Sequence, residues 1–350
     1  MDKINKKVDI RSLSLNELKS QLESLGEKSF RAKQIYEWLW EKSCTDFDEM
    51  SNLSKSLREV LKEKFCINAV KINTSQLSED RTIKNAFKLY DSNIIEGVLI
   101  PTTERMTACV SSQVGCSLSC KFCATGYMDR KRNVNADEIY DQVVLINRQA
   151  EENYKKPLTN IVYMGMGEPL LNYSNVLRSI DRITAPDGLN IASRRITVST
   201  AGIAKMIKKL GDDEVRFNLA LSLHAANDKK RNEIMPINEQ NTLEALAEAL
   251  KYYYAKTNNP VTYEYIVFND FNDELSDAAE LAAFCKHVPC KVNIIEYNPI
   301  SFASYTNADV DKVEVFAEFL RKKGINTYVR KSRGKDIDAA CGQLAVKEKA

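Results

Sequence analysis

Apolar residues recur at two different periods along this chain, and the period changes near residue 84. From about 13 to 65 they fall at helical spacing, as in Leu15, Leu18 and Leu22 and again in Ile35, Trp38 and Leu39, which predicts a small helical unit. Between about 84 and 113 β-branched and apolar runs take over. Asn93 to Pro101 reads NIIEGVLIP and Thr107 to Val110 reads TACV, a hairpin or linker strand leading into a core strand. Beyond them, strand-like runs at 160–164, 195–200, 217–223, 261–268, 291–297 and 326–330 alternate with helix-like segments that include 136–152, 242–256, 273–286 and 308–323. The expectation is an α/β fold of repeated β/α units on a parallel sheet, a partial barrel of six or seven units, with a doubly wound sheet as the alternative. Domain boundaries follow the same pattern: 1–75 a helical accessory domain, 76–105 a linker hairpin, and 106–345 the barrel with a C-terminal loop. The Lys/Glu-rich end from Val346 is expected to be loose.

Composition narrows the function classes. A chain of 350 residues with 44% hydrophobic content buries a sizeable core. Its 50 basic and 48 acidic residues leave a net charge of +2, which provides no global field for polyanions, so any nucleic-acid contact must come from local patches. The start, MDKINKKVDIRS, lacks the apolar core of a signal peptide, and no apolar run approaches membrane-spanning length; a cytoplasmic protein without membrane partners is expected. Nine cysteines are too few for a disulfide scaffold of this size, and a cytosol would keep them reduced, so a cluster of them points to metal or redox chemistry.

That cluster is CSLSCKFC, which puts Cys116, Cys120 and Cys123 within eight positions. A 4Fe-4S cube held by three thiolates leaves one iron free for another ligand. Structural zinc wants a fourth Cys or a His nearby, and the only histidines are His224 and His287; zinc with a distant ligand stays open as the alternative. After the second core strand, YMGMGEP carries two glycines, one of them Gly167, that let backbone approach a ligand, and Glu168, whose carboxylate can accept bonds from an ammonium group. No third glycine completes a GxGxxG fingerprint, which argues against an ordinary Rossmann methyltransferase. Ser199, the run Ser222-Leu223-His224, and Asn298 fall at later strand ends, where a β/α fold collects its ligand groups; loop capping is the alternative for each. Cys341 stands between the small residues Ala340 and Gly342, which leave its sulfur accessible, and Cys109 lies in the first core strand. Cys44, Cys66, Cys285 and Cys290 read as small buried hydrophobes.

The CxxxCxxC run continuing into CATG resembles the radical S-adenosylmethionine (SAM) superfamily. The full ordered set, Cys109 ahead of CSLSCKFCATG, then GMGEPLLN, RRITVSTAG, SLHA, MPIN, EYNP and RGKDIDAACGQL, resembles the RlmN-type bacterial RNA adenine carbon-2 methyltransferases over about 94–345, more loosely before that. A sister family acting on adenine carbon 8 usually carries GMGEA and lacks the STAG form found here.

The resemblance implies a 4Fe-4S cluster on Cys116, Cys120 and Cys123 whose free iron chelates SAM, one cluster per chain and two SAM per turnover. It implies SAM contacts from Gly167, Glu168, Ser199, Ser222, Leu223, His224 and Asn298. One SAM would methylate Cys341, the other would be cleaved to a radical, and Cys109 would resolve the protein–RNA adduct through a transient disulfide with Cys341. Glu96 is implied as proton acceptor, with Cys109 as the alternative; burial among its apolar neighbours would raise the Glu96 pKa and suit it to base work. The implied substrates are an adenosine in the peptidyl transferase region of 23S rRNA and an anticodon-adjacent adenosine in tRNA. Such machinery fits the target, since carbon 2 of adenine is an electron-poor amidine carbon that polar methylation cannot reach.

Two basic runs, Arg130-Lys131-Arg132 and Arg330 to Lys335, flank the expected site and are read as phosphate clamps, with Arg31, Lys33 and Lys42 as a further grip on RNA. A monomer served by an electron donor such as flavodoxin completes the expectation. Two rival readings are a carbon-8 enzyme conferring resistance to ribosome antibiotics and a non-catalytic, metal-stabilised RNA-binding protein; the second has no use for GMGEP or an accessible Cys341.

Overall fold

The computed structural model describes residues 7–346, so the first six residues and the Lys/Glu-rich end after Val346 lie outside the described residues. A short parallel pair, β1 (Val8–Asp9) and β2 (Phe65–Cys66), brackets the helices α1 (Leu15–Ser24), α2 (Phe30–Trp40) and α3 (Lys55–Lys64). Helix α1 begins at a capping box in which Ser14 and Glu17 satisfy each other's backbone N–H groups, and its Leu18 and Leu22 face inward. This helical part is seated on α4 (Ala136–Tyr154). Buried Arg11 reaches Asp141 at 2.7 Å and Asp137 at 3.3 Å, and Trp40 packs edge-on against Tyr140 with ring centres 5.0 Å apart.

The next strands, β3 (Lys71–Leu77), β4 (Ile83–Lys88), β5 (Ile94–Pro101) and β6 (Met106–Cys109), form an antiparallel meander. The chain expected as a linker hairpin is thus part of a longer run of pairing that joins the main sheet. A small pair, β7 (Gln113–Val114) and β8 (Arg132–Asn133), flanks the cysteine loop. From β6 onward every neighbour in the sheet is parallel: β9 (Asn160–Tyr163), β10 (Ile196–Thr200), β11 (Asn218–Ser222), β12 (Val261–Ile266), β13 (Cys290–Ile295) and β14 (Asn326–Arg330).

Helix α4, then α5 (Tyr173–Thr184), α6 (Ala204–Asp212), α7 (Asp228–Ile234), α8 (Leu243–Thr257), α9 (Leu275–Phe284) and α10 (Val310–Lys322) fill the crossovers. Strand β12 is buried at all six positions, as parallel strands covered on both faces require.

Spatial order in this ten-stranded sheet equals sequence order, from β3 at one edge to β14 at the other. A flat sheet would hold those edges about 40 Å apart at roughly 4.8 Å per strand. Instead Gly334, four residues past the end of β14, already donates to Asp80 in the β3–β4 turn (2.9 Å), and Asp336 bonds Ser78 (2.5 Å) and the Glu79 N–H (3.0 Å). The sheet therefore curls into an open barrel whose seam is crossed by the C-terminal loop. Arg333 completes the closure, ion-paired to Asp80 at 3.2 Å and donating to the carbonyl of Pro101 at 3.0 Å.

Candidate active site

The C-terminal ends of the parallel strands converge on one cavity opening onto about 940 Å³ of empty space. Cys116, Cys120 and Cys123 line it together with Gly167, Glu168, Ser199, Ser222, His224, Glu264, Arg330 and Cys341. The cysteine loop is held from several sides: Lys121 N–H donates to Ile234 (3.0 Å), Ala124 N–H to Gly342 (2.7 Å), and Thr125 Oγ1 to Leu344 (2.6 Å). Burial raises all three thiol pKa values, Cys116 to about 11 and Cys120 further, so these sulfurs are protonated until a metal centre displaces the protons. All three thiols line the cavity, and soft ligands from three cysteines suit a cluster that keeps one iron for an outside ligand.

The glycine segment lines the same cavity. Gly167 has φ +92°, and a Cβ there would stand 2.4 Å from Cβ of Gln113; at Gly165 one would stand 2.6 Å from Ser111 Oγ. Both positions exclude a side chain, which keeps the backbone against β6 and the cavity clear. Glu168 is buried, its Oε2 accepting from Ala201 N–H (2.8 Å) and its Oε1 from Leu170 N–H (2.9 Å). Burial raises its pKa against those bonds and one from the Thr200 hydroxyl. Ser199 and Ser222 stand 3.3 Å apart, oxygen to oxygen.

Burial lowers the His224 pKa to about 3, so the ring is neutral; Nδ1 accepts from Ile266 N–H (3.1 Å), which leaves the proton on Nε2. Leu223 differs from its neighbours, for its side chain is fully buried in the core and off the cavity wall. Asn298 is also off the wall. Its Nδ2 donates to the carbonyl of Cys341 (3.2 Å), while its buried Oδ1 has no partner.

Cys341 is open to the cavity although protein surrounds it, and burial raises its pKa, with nearby Arg330 pulling the other way. Cys109 is buried at the end of β6, its pKa raised first by burial and then by the nearness of Cys341. Glu96 is buried on β5, its Oε2 accepting from Ala345 N–H (2.9 Å) and its Oε1 facing Lys84 Nζ at 3.6 Å. The cluster, glycine and serine segments and Cys341 thus share one cavity, while Cys109, Glu96 and Asn298 stand behind the loop that carries Cys341.

Sequence reasoning missed Glu264, Lys84 and Arg231. Glu264 lines the cavity with Oε1 bonded to Asn293 Nδ2 (2.9 Å) and Oε2 without a hydrogen bond, 3.8 Å from Arg330; a carboxylate inside the apolar run VTYEYIV was its available signal. The basic runs also divide differently than expected. Arg132 is committed internally to Glu138 (2.7 Å) and Asp91 (2.6 Å), and Arg333 to Asp80, whereas Arg130, Lys131 and Lys331 are exposed.

A partial parallel barrel that gathers three cysteines and a glycine turn at its strand ends has the construction of a radical SAM protein, and the radical SAM superfamily model matches residues 110–282. The model of the ribosomal RNA large subunit methyltransferase N-terminal domain matches residues 8–67. The chain is 63% identical over 343 residues to a probable dual-specificity RNA methyltransferase RlmN of Cytophaga hutchinsonii, covering 98% of this chain and 94% of that one. It is 43% identical to the protein of the same description from Bacillus velezensis, covering 97% and 93%. A radical SAM methyltransferase from Sphaerobacter thermophilus superposes with a TM-score of 0.92 at 39% identity, over 97% of this chain and all of that one. The chain belongs to the RlmN family. Among the described residues no helix is long and apolar enough to cross a membrane.

Proposed function

We propose that this chain is a cytoplasmic radical SAM methyltransferase that modifies carbon 2 of an adenosine in 23S rRNA and of another in tRNA. The observation that carries the reading is the placement of Cys341, which opens into the cavity lined by Cys116, Cys120 and Cys123, its own carbonyl held by Asn298 and that of the next residue, Gly342, by Ala124 of the cysteine loop. In this reading the three cysteines hold a 4Fe-4S cluster, and Glu168, Gly167, Ser199, Ser222 and His224 seat SAM beside it. When bound and reduced, the pair would supply a 5′-deoxyadenosyl radical, a means of functionalising an electron-poor ring carbon that polar methylation does not reach.

The rest falls to side chains of the chain. Cys341 carries the methyl group into the cavity and becomes the sulfur through which the base is held. Glu96, kept dry and of raised pKa, is the group assigned to accept the proton from carbon 2; it stands behind the Cys341 loop, with Oε2 on Ala345 N–H and Oε1 facing Lys84, so that loop must shift to bring the base to it. Cys109, as the thiolate, then attacks the Cys341 sulfur; the carbon–sulfur bond breaks with its electron pair going to the carbon on the base, which takes a proton to become the methyl group, and the disulfide left behind is reduced by two electrons and two protons. Arg130, Lys131 and Lys331 offer phosphate contacts around the mouth, and the helical part over 1–75 adds Arg31, Lys33 and Lys42. One cluster per chain, two SAM per turnover, a monomeric enzyme and a flavodoxin-like donor complete the proposal.

Cys109→Ala is expected to accumulate a covalent RNA adduct on Cys341, visible as a slow band in denaturing gels. A Cys341-methylated Cys109→Ala protein that forms no adduct would remove Cys109 from this role. Mass spectrometry of RNA from cells lacking the protein should show loss of 2-methyladenosine; loss of 8-methyladenosine instead would transfer the chain to the carbon-8 reaction.

A further inference from the structure

Arg231 on α7 is fully buried, yet none of its hydrogen-bond partners carries a charge. Its Nη2 donates to the carbonyls of Ala201 (2.6 Å) and Ser222 (3.2 Å), its Nε to Leu223 (3.1 Å), and its Nη1 to Asn238 Oδ1 (2.6 Å). The nearest acid in this network, exposed Asp228, is reached only through the Asn238 amide, whose Nδ2 donates to it at 2.7 Å. A buried cation without a carboxylate is costly, and such groups persist where another charge compensates them. The cysteine loop meets the same helix, with Lys121 N–H donating to the Ile234 carbonyl (3.0 Å) and Cys120 packed in one apolar cluster with Ile234, Met235 and Ala201, the residue whose carbonyl Arg231 holds. Arg231 is not on the cavity wall, so it makes no contact with a ligand there.

We propose that Arg231 is a positioning residue that sets the reduction potential of the cluster, its fixed positive charge favouring the reduced form. The proposal rests on the reading of the three cysteines as cluster ligands. Three thiolates about a dipositive four-iron core sum to one net negative charge, and uptake of one electron doubles it. A cation held in low dielectric behind Cys120 therefore stabilises the reduced state more than the oxidised one. The same guanidinium staples the ends of β10 and β11, so charge and staple must be separated by experiment.

The test is EPR-monitored redox titration of the anaerobically reconstituted full chain without RNA. Arg231→Gln should lower the midpoint so that the reduced fraction at a given potential falls about tenfold, 59 mV for one electron. Arg231→Lys, which keeps the charge and loses the fork, should retain most of the wild-type value. Asp228→Asn keeps both bonds accepted at Oδ1, from Asn238 and Leu243, and should move the midpoint upward. Equal shifts in the Gln and Lys variants, or no shift in any, would overturn the proposal. If Arg231→Gln fails to hold iron, the Asp228→Asn titration decides, an upward shift supporting the role and an unchanged midpoint ending it. Wild-type protein that assembles no cluster would instead defeat the reading of the site itself.

Discussion

A dry carboxylate beside an ammonium is tuned from two directions, and Glu96 shows both. Burial raises its pKa, while Lys84 and the Ala345 N–H pull it back. Acting as a base, it loses activity as pH falls through that value. Lys84→Met removes the strongest downward pull, so the acid limb of the pH–rate profile should move to higher pH, with methylation at neutral pH reduced several-fold and SAM binding unchanged. An unmoved limb would mean that Glu96 does not take the proton. The apolar neighbours Ile94, Ile95, Val98 and Leu99 made the burial of Glu96 legible in the sequence. Lys84 was not legible, because it meets Glu96 diagonally across the β4–β5 ladder, where Ala86 stands opposite Glu96.

At the scale of elements, the parallel strands were the most readable part of the chain. Strands with helices outside and the barrel interior within read as short runs of apolar and β-branched residues, and 160–164, 195–200, 217–223, 261–268, 291–297 and 326–330 each contain a parallel strand, although β14 at the sheet edge is exposed at four of its five positions. The shorter α6 and α7 have only nine and seven residues, too few for a helical period to repeat, and neither stands out from sequence although Met206, Ile207 and Leu210 of α6 do keep helical spacing. The seam closure could not be read at all, since it depends on pairs such as Ser78 and Asp336, 258 positions apart.

That closure is electrostatically primed. Burial pushes the Asp80 carboxyl up, but hydrogen bonds from Thr82, Gly334 and Ser78 outweigh it and bring its pKa down to about 2. A depressed pKa stabilises the fold fully above the ordinary carboxylate range, and the contribution is lost as pH falls from about 4 towards 2. Asp80→Asn should therefore speed amide exchange across 334–346 at neutral pH, leaving the parallel strands protected. Uniform protection across that loop would show that the closure does not depend on Asp80.

For the molecule as a whole, the raised thiol pKa values couple assembly to protons. Cys116, at about 11, must lose a proton to bind iron, as must Cys120 and Cys123, so cluster affinity should rise with pH through the neutral and alkaline range. Chelation under anaerobic conditions should lower the melting temperature, because ligation adds to the stability of the folded state alone. An identical melting curve with and without iron would count against a cluster bound at this wall. The grouping of Cys116, Cys120 and Cys123 was legible because they lie within eight positions; the other residues that line the cavity come from segments spread over more than 200 residues.

Strand order in space repeats the order in which a ribosome delivers the chain, so each strand emerges to find its neighbour already waiting. Cys341 arrives with the closing segment, after every strand has been made. A chain ending before Cys341 would lose that thiol and, with it, the Gly342 and Leu344 carbonyls on which the cysteine loop rests. Translation thus delivers the Cys341 thiol last, together with the segment that steadies the cavity around it.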